Sequence, residues 1–89
     1  MIHQQVEIIN KLGLHARAAA KFVTTASGFD ANIELGRGEQ KVNGKSIMGV
    51  MMLAAGQGTQ LDLYVDGNDE QQASEALIAL INNRFDEAQ

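Results

Sequence analysis

The sequence predicts an α+β fold: one sheet with its helices gathered on a single face. Three observations predict it. Four segments alternate apolar and polar residues with the period of a strand, three segments repeat apolar residues at helical spacing, and the two kinds interleave in the order β-α-β-β-α-β-α. The 89 residues fit one domain, residues 1–89. A chain of that size buries roughly 63% of the surface its unfolded form exposes, enough for one core without metals or disulfides.

The first strand follows from Ile2, Val6 and Ile8 on one side against His3, Gln5 and Glu7 on the other. From Ala16 to Ser27 the period changes, and Ala16, Ala19, Ala20, Val23 and Ala26 form the expected core stripe of a helix that Gly28 stops. Ala31, Ile33 and Leu35 alternate with Asn32 and Glu34 as the second strand. Gly36-Arg37-Gly38 reads as a tight hairpin into a third strand around Glu39 to Val42. A second helix is expected after Ser46, with Ile47, Val50, Met51 and Ala54 facing the core and Gly56-Gln57-Gly58 ending it. Leu61, Leu63 and Val65 against Gln60, Asp62, Tyr64 and Asp66 make the clearest strand. The last helix follows Asp66-Gly67-Asn68, with Ala73, Ala76, Leu77, Leu80 and Ile81 at helical spacing. Asn68 or Asp69 is its expected N-cap, and Gln71 or Gln72 takes the capping-box position. Ferredoxin-like domains share much of this order, so the pattern leaves the strand order open.

Composition narrows the function classes. Hydrophobic residues make up 45% and charged residues 20%, the mixture of an ordinary globular protein. The absence of Cys excludes a thiolate nucleophile and a Cys-based zinc site, and two His make a His-rich metal site unexpected. No metal and no cofactor is expected. No apolar stretch approaches a membrane span, and Met1-Ile2-His3-Gln4-Gln5 is not an export signal, so a cytoplasmic protein without membrane insertion is expected. A net charge of −4 argues against nucleic-acid binding. Yet residues 1–45 hold six bases against four acids, while residues 46–89 hold one base, Arg84, against seven acids. That asymmetry fits a basic docking patch; on charge alone, a solvated mixed surface is the plainer reading.

The most informative stretch is Gly13-Leu14-His15-Ala16-Arg17-Ala18-Ala19-Ala20-Lys21-Phe22. It places His15 at the N-cap of the first helix, where unpaired N–H groups and the positive end of the helix dipole suit a phosphate and disfavour an imidazolium. Arg17 can add a guanidinium to a phosphoryl group held on the ring. His caps poorly compared with Ser, Thr, Asp or Asn, so capping alone does not account for it. A surface His without a role, beside an Arg17 lying along the helix, fits the same residues. His3, on the polar face of the first strand, is expected to be a solvated residue with no role.

In Val42-Asn43-Gly44-Lys45-Ser46-Ile47-Met48-Gly49-Val50-Met51-Met52-Leu53, Ser46 is a good N-cap for the second helix. Met48 and Met52 are four residues apart and lie off the expected core stripe. A short helix apolar nearly all round is either deeply buried or half-exposed for a partner, and methionine adapts to several partner surfaces.

At these two stretches the sequence resembles the histidine-containing phosphocarrier (HPr) family of the bacterial phosphoenolpyruvate-dependent phosphotransferase system. Gly13-Leu14-His15-Ala16-Arg17 is similar to its active-site motif, and Lys45-Ser46-Ile47-Met48-Gly49-Val50-Met51 to its regulatory serine motif. The resemblance implies an open-faced β-sandwich, a four-stranded antiparallel sheet with three helices on one face. It implies that the His15 Nδ1 takes a phosphoryl group from phosphorylated enzyme I and passes it to EIIA-type acceptors in sugar uptake and its regulation. Arg17 and the backbone N–H groups of Ala16, Arg17 and Ala18 would hold the phosphoryl oxygens. Ser46 would be the target of an HPr kinase, its phosphate weakening transfer. The implied docking face is Ala20, Ile47, Met48, Met51 and Met52. The chain would be a stoichiometric carrier and a monomer, not a multiple-turnover enzyme. One departure is plain: the family usually has Pro after the active-site Arg, and this chain has Ala18. Two other readings stand beside the carrier: a nitrogen-branch regulatory phosphocarrier, towards which Phe85-Asp86 leans, and a non-catalytic small-molecule-binding regulatory module.

Overall fold

Alternating side chains become a sheet only when one face finds cover, and the computed structural model, which describes all 89 residues, shows how. Its elements are β1 (Ile2–Glu7), α1 (Ala16–Ser27), β2 (Asn32–Arg37), β3 (Gln40–Asn43), α2 (Ile47–Met52), β4 (Gln60–Asp66) and α3 (Glu70–Asn82). The sheet runs β1-β4-β2-β3, every pairing antiparallel. Only β2 and β3 form a hairpin. β1 and β2 flank β4, and β3 and β4 flank β2, so α1 and α2 each cross between parallel strands with a third inserted. The fold is the expected open-faced α+β sandwich. β1 lies at an edge, whereas a ferredoxin-like sheet holds its first strand inside, so that alternative fails.

The inward residues Val6, Ile33, Leu35, Leu61, Leu63 and Val65 are buried as the alternation predicts. On the open face His3 stacks on Tyr64 and meets Asp62 at 2.9 Å, so it is exposed, as expected, but engaged.

The helices depart from their predicted stripes. On α1 the buried residues are Ala18, Ala19, Phe22 and Ala26; Ala16 is exposed, and Ala20 and Val23 are half-buried. Phe22 sets the face, because burying one phenyl ring outweighs burying methyl groups. Gly28 closes α1, but at φ −77° rather than left-handed. On α2 only Val50 is buried, followed by Leu53; Ile47, Met51 and Ala54 are exposed. α2 also stops at Met52, short of the Gly56-Gln57-Gly58 segment. The Arg37 Nη1 donates to the carbonyls of Leu53 and Ala54 at 2.8 and 3.0 Å, and Ala54 turns to φ +50°. In so short a helix such tertiary contacts, not propensity, decide the end.

The hairpin turns on Gly38-Glu39, with Gly38 at φ +60°, and β3 ends one residue later than expected. At α3 the N-cap position is Asp69, yet its carboxylate accepts from the N–H groups of Asp30 and Ala31 at 2.8 and 2.9 Å. These charge-assisted bonds tie α3 to the start of β2 and hold the Asp69 carboxyl below its usual range, Asp30 first. No capping box forms with Gln71 or Gln72; instead Glu70, the first helical residue, accepts from the Gly67 N–H at 3.1 Å in the turn before the helix. After α3 the chain makes a turn the periodicity does not show: Arg84, Phe85 and Asp86 have φ of 58°, 54° and 64°. Phe85 is fully buried against the core, and the Asn83 Nδ2 donates to Asp86 at 2.7 Å.

Candidate functional site

The site is built on a loop whose path one glycine permits. Gly13 has φ +68°, and a Cβ there would lie 2.5 Å from the Ala55 carbonyl oxygen and 2.7 Å from the Gly56 Cα. The Leu14 N–H donates to the same Ala55 carbonyl at 2.8 Å, and the Leu14 side chain is buried. The loop that carries His15 is thereby stitched to the residues leaving α2.

His15 is the N-cap of α1, with extended backbone (φ −73°, ψ 178°), and its ring makes no capping hydrogen bond. The first helical bond runs from the Ala19 N–H to the His15 carbonyl at 2.8 Å. The N–H groups of Ala16, Arg17 and Ala18 have no partner, neither backbone nor side chain, as the open first turn of a helix leaves them. The Arg17 guanidinium is exposed and makes neither a hydrogen bond nor an ion pair. The predicted phosphate-binding residues Ala16, Arg17 and Ala18 therefore lie together with His15, and they present unpaired donors and a free positive charge.

Sequence reasoning missed the other side of the ring. The His15 Nε2 meets the Glu87 carboxylate, carried by the segment after the left-handed turn. The second Glu87 oxygen accepts from the Asn10 Nδ2 at 2.9 Å, and that amide also donates to the Gly13 carbonyl at 2.8 Å. Asn10 is fully buried. Asn10 first, then His15 and the nearby Arg17, hold the Glu87 carboxyl below its usual range against the opposing cost of its desolvation. Two fields act on the imidazole: the positive helix end and this carboxylate. No local sequence signal links residues 10, 15 and 87; the burial of Phe85, the bonded Gly13 loop and the Lys11 N–H on the Gln89 oxygen bring them together only in the folded chain.

Lys11, Lys21 and Arg17 line a groove beside Asp86 and Glu87, with Lys21 paired to Asp86 at 3.3 Å. No three His, Asp or Glu side chains converge as a metal ion would need. No helix is long and apolar enough to cross a membrane.

At the second motif, the Ser46 Oγ accepts from the Gly49 N–H at 3.1 Å, an N-cap as the sequence predicts. Lys45 is a strut: its ammonium donates to the Phe29 carbonyl at 2.7 Å. Beyond the cap, Met48 is 77% and Met52 64% exposed, and Ile47 and Met51 are exposed beside them. Ala20 is half-buried on α1, which packs on α2. Leu12, 68% exposed just ahead of His15, lines the groove with Lys11, Arg17 and Lys21 and was not foreseen from sequence. So many large apolar side chains exposed together on a short helix are left without cover in the chain itself.

Comparison with known proteins adds the family. Residues 2–83 match the model described as "PTS HPr component phosphorylation site". A phosphocarrier protein HPr of Pseudomonas aeruginosa is 58% identical over 86 residues, covering 96% of both chains. The crystal structure of HPr-C-His from Thermoanaerobacter tengcongensis superposes with a TM-score of 0.96 at 47% identity over the whole of both chains. A second crystal structure from that organism, titled as an HPr dimer, has a TM-score of 0.79 at 48% identity, covering 98% of this chain and 100% of that one.

Proposed function

The chain belongs to the HPr phosphocarrier family of the phosphotransferase system, and on that footing we propose that His15 is the residue that carries its phosphoryl group. The observation that carries the reading is the set of open N–H groups of Ala16, Arg17 and Ala18 directly after an imidazole that caps nothing. The Nδ1 lone pair attacks phosphorus, the N–P bond forms, and the bond to the donor breaks with its electron pair leaving on the donor. The three N–H groups and the Arg17 guanidinium take up the charge of the phosphoryl oxygens, strongest where it builds up in the transition state. A P–N bond suits a carrier, since the group leaves as readily as it arrives. The donor is phosphorylated enzyme I and the acceptors are EIIA-type proteins, docking on Ile47, Met48, Met51 and Met52 with Ala20 at the margin. Residues 1–89 work as one domain and as a monomer.

Ser46 is proposed as a regulatory phosphorylation site for an HPr kinase. Its hydroxyl is half-buried in the cap, so phosphorylation would exchange the Gly49 bond for a doubly charged group at the edge of the docking face. Repulsion of an acidic partner surface then weakens transfer. Phe85 supports no choice between carbon and nitrogen branches: its burial is explained by the core.

The test is incubation with enzyme I and labelled phosphoenolpyruvate. Acid-labile label on the wild-type chain and none on His15→Ala is expected. Label that persists on His15→Ala, or an unlabelled wild type beside an active enzyme I, refutes the assignment.

A further inference from the structure

The Glu87 carboxylate has no part in the chemistry described so far, yet it faces the ring on which that chemistry is proposed to occur. Four observations bear on it. Its contact is with the Nε2, while the Nδ1 makes no hydrogen bond. The Glu87 side chain is 14% exposed and that of His15 29%, so the pair is largely shielded from water. Its other oxygen is held by the Asn10 amide, itself fully buried and anchored to the Gly13 carbonyl in the His15 loop. The segment that delivers it runs through three left-handed residues around the buried Phe85, and the Lys11 N–H donates to the Gln89 carbonyl at 3.0 Å to hold it down.

We propose that Glu87 is a positioning residue for phosphoryl transfer, an outer partner that orients the His15 imidazole and offsets the positive charge the ring acquires when its Nδ1 binds phosphorus. The inference rests on the reading of His15 as the phosphoryl acceptor. A carboxylate on one imidazole nitrogen fixes the proton there and presents the lone pair at the other. In the inbound step the Nδ1 lone pair forms the N–P bond and the donor departs with its electrons. The Nε2 proton stays between ring and Glu87, whose negative charge faces the imidazolium so formed. In the outbound step the N–P electrons return to the ring, and the same proton remains on the Nε2. Asn10 keeps the carboxylate in place throughout.

The experiment compares wild type with Glu87→Gln, which keeps the shape and removes the charge. Two readouts are needed: steady-state transfer from enzyme I, and the proton NMR resonance of the His15 Nε2–H. Removing an outer carboxylate from a working imidazole costs on the order of tenfold. We expect kcat to fall about that much with KM for the chain unchanged, since the docking face is untouched. The Nε2–H resonance, far downfield in wild type, moves upfield or broadens into exchange. Glu87→Asp, which restores the charge, recovers part of kcat. A rise in KM at constant kcat overturns the proposal and makes the tail a docking element. A rise in kcat overturns it as well and makes Glu87 a brake. An unchanged resonance with unchanged kinetics removes any role. A wild-type chain that accepts no label defeats the carrier reading instead, and the resonance alone then decides whether Glu87 holds the ring.

Discussion

At the start of α1 the N-cap is an imidazole that caps nothing, and three backbone N–H groups stay open beside an unpaired arginine. At the start of α2 the N-cap is a hydroxyl that accepts from Gly49 at 3.1 Å and closes one of the same orphan donors. Both ends offer the positive pole of a helix, and they differ in whether a side chain in the chain itself already fills it. The open end can take an anion from outside. The closed end supports an exposed apolar face instead, and an anion there has to displace the cap. The loop through Gly13 and Leu14, bonded to Ala55, ties the open end of α1 to the residues leaving α2, so His15 and the helix that carries the apolar face are held in one arrangement.

The largest effect should come from breaking that coupling. Gly13→Ala forces a left-handed alanine whose Cβ overlaps backbone at Ala55 and Gly56, and should cost about 2–3 kcal/mol of stability and reduce transfer together. Urea unfolding measures it; a midpoint equal to wild type would mean the loop relaxes freely and its tie to Ala55 contributes nothing. Next is the closed end. Ser46→Ala should lose about 1 kcal/mol with the cap, while labelling of His15 proceeds at the wild-type rate. Ser46→Asp keeps a capping oxygen and adds charge, so thermal unfolding stays near wild type and transfer from enzyme I slows. Equal transfer in Ser46→Asp and wild type would remove the electrostatic basis for regulation there.

At the open end, Ala18→Pro deletes one of the three free N–H groups without breaking a bond, so stability should shift by less than about 1 kcal/mol. Transfer rate and phosphohistidine lifetime, followed by label decay, should both change. If neither does, the third donor takes no part in holding phosphate. The smallest effect is confined to acid. The Glu87 carboxyl is held below its usual range in the folded chain, so its contribution is present above the ordinary glutamate pKa of about 4.3 and is lost as pH falls through the folded value. The stability gap between wild type and Glu87→Gln should therefore narrow as pH is lowered from neutral towards 3. A gap independent of pH would show that the contact is not with a carboxylate.

The sequence was most legible where period and chemistry coincide in a short window. The strand Gln60–Asp66, the helix Ala16–Ser27 and the cap at Ser46 are all written locally, in alternation, helical spacing and a hydroxyl before an apolar run. Helix faces were less so. Phe22 and Leu53 rotate α1 and α2 away from the stripes that alanines and methionines indicate, because packing rewards large side chains that a count of apolar positions weighs equally. The end of α2 depends on Arg37 reaching across from β2, which no local rule contains.

By itself, then, the sequence determined the element order, the N-cap positions of His15 and Ser46, and a resemblance that names the family. Each of these resides in residues a few positions apart, where backbone geometry couples neighbours directly. Tertiary structure alone decided the strand order, the outward turn of Ile47 and Met51, and the meeting of Asn10, His15 and Glu87. Those three residues stand 77 positions apart at their extremes. What brings them together is the burial of Phe85 and the stitching of the Gly13 loop, energies that exist only once the core has formed.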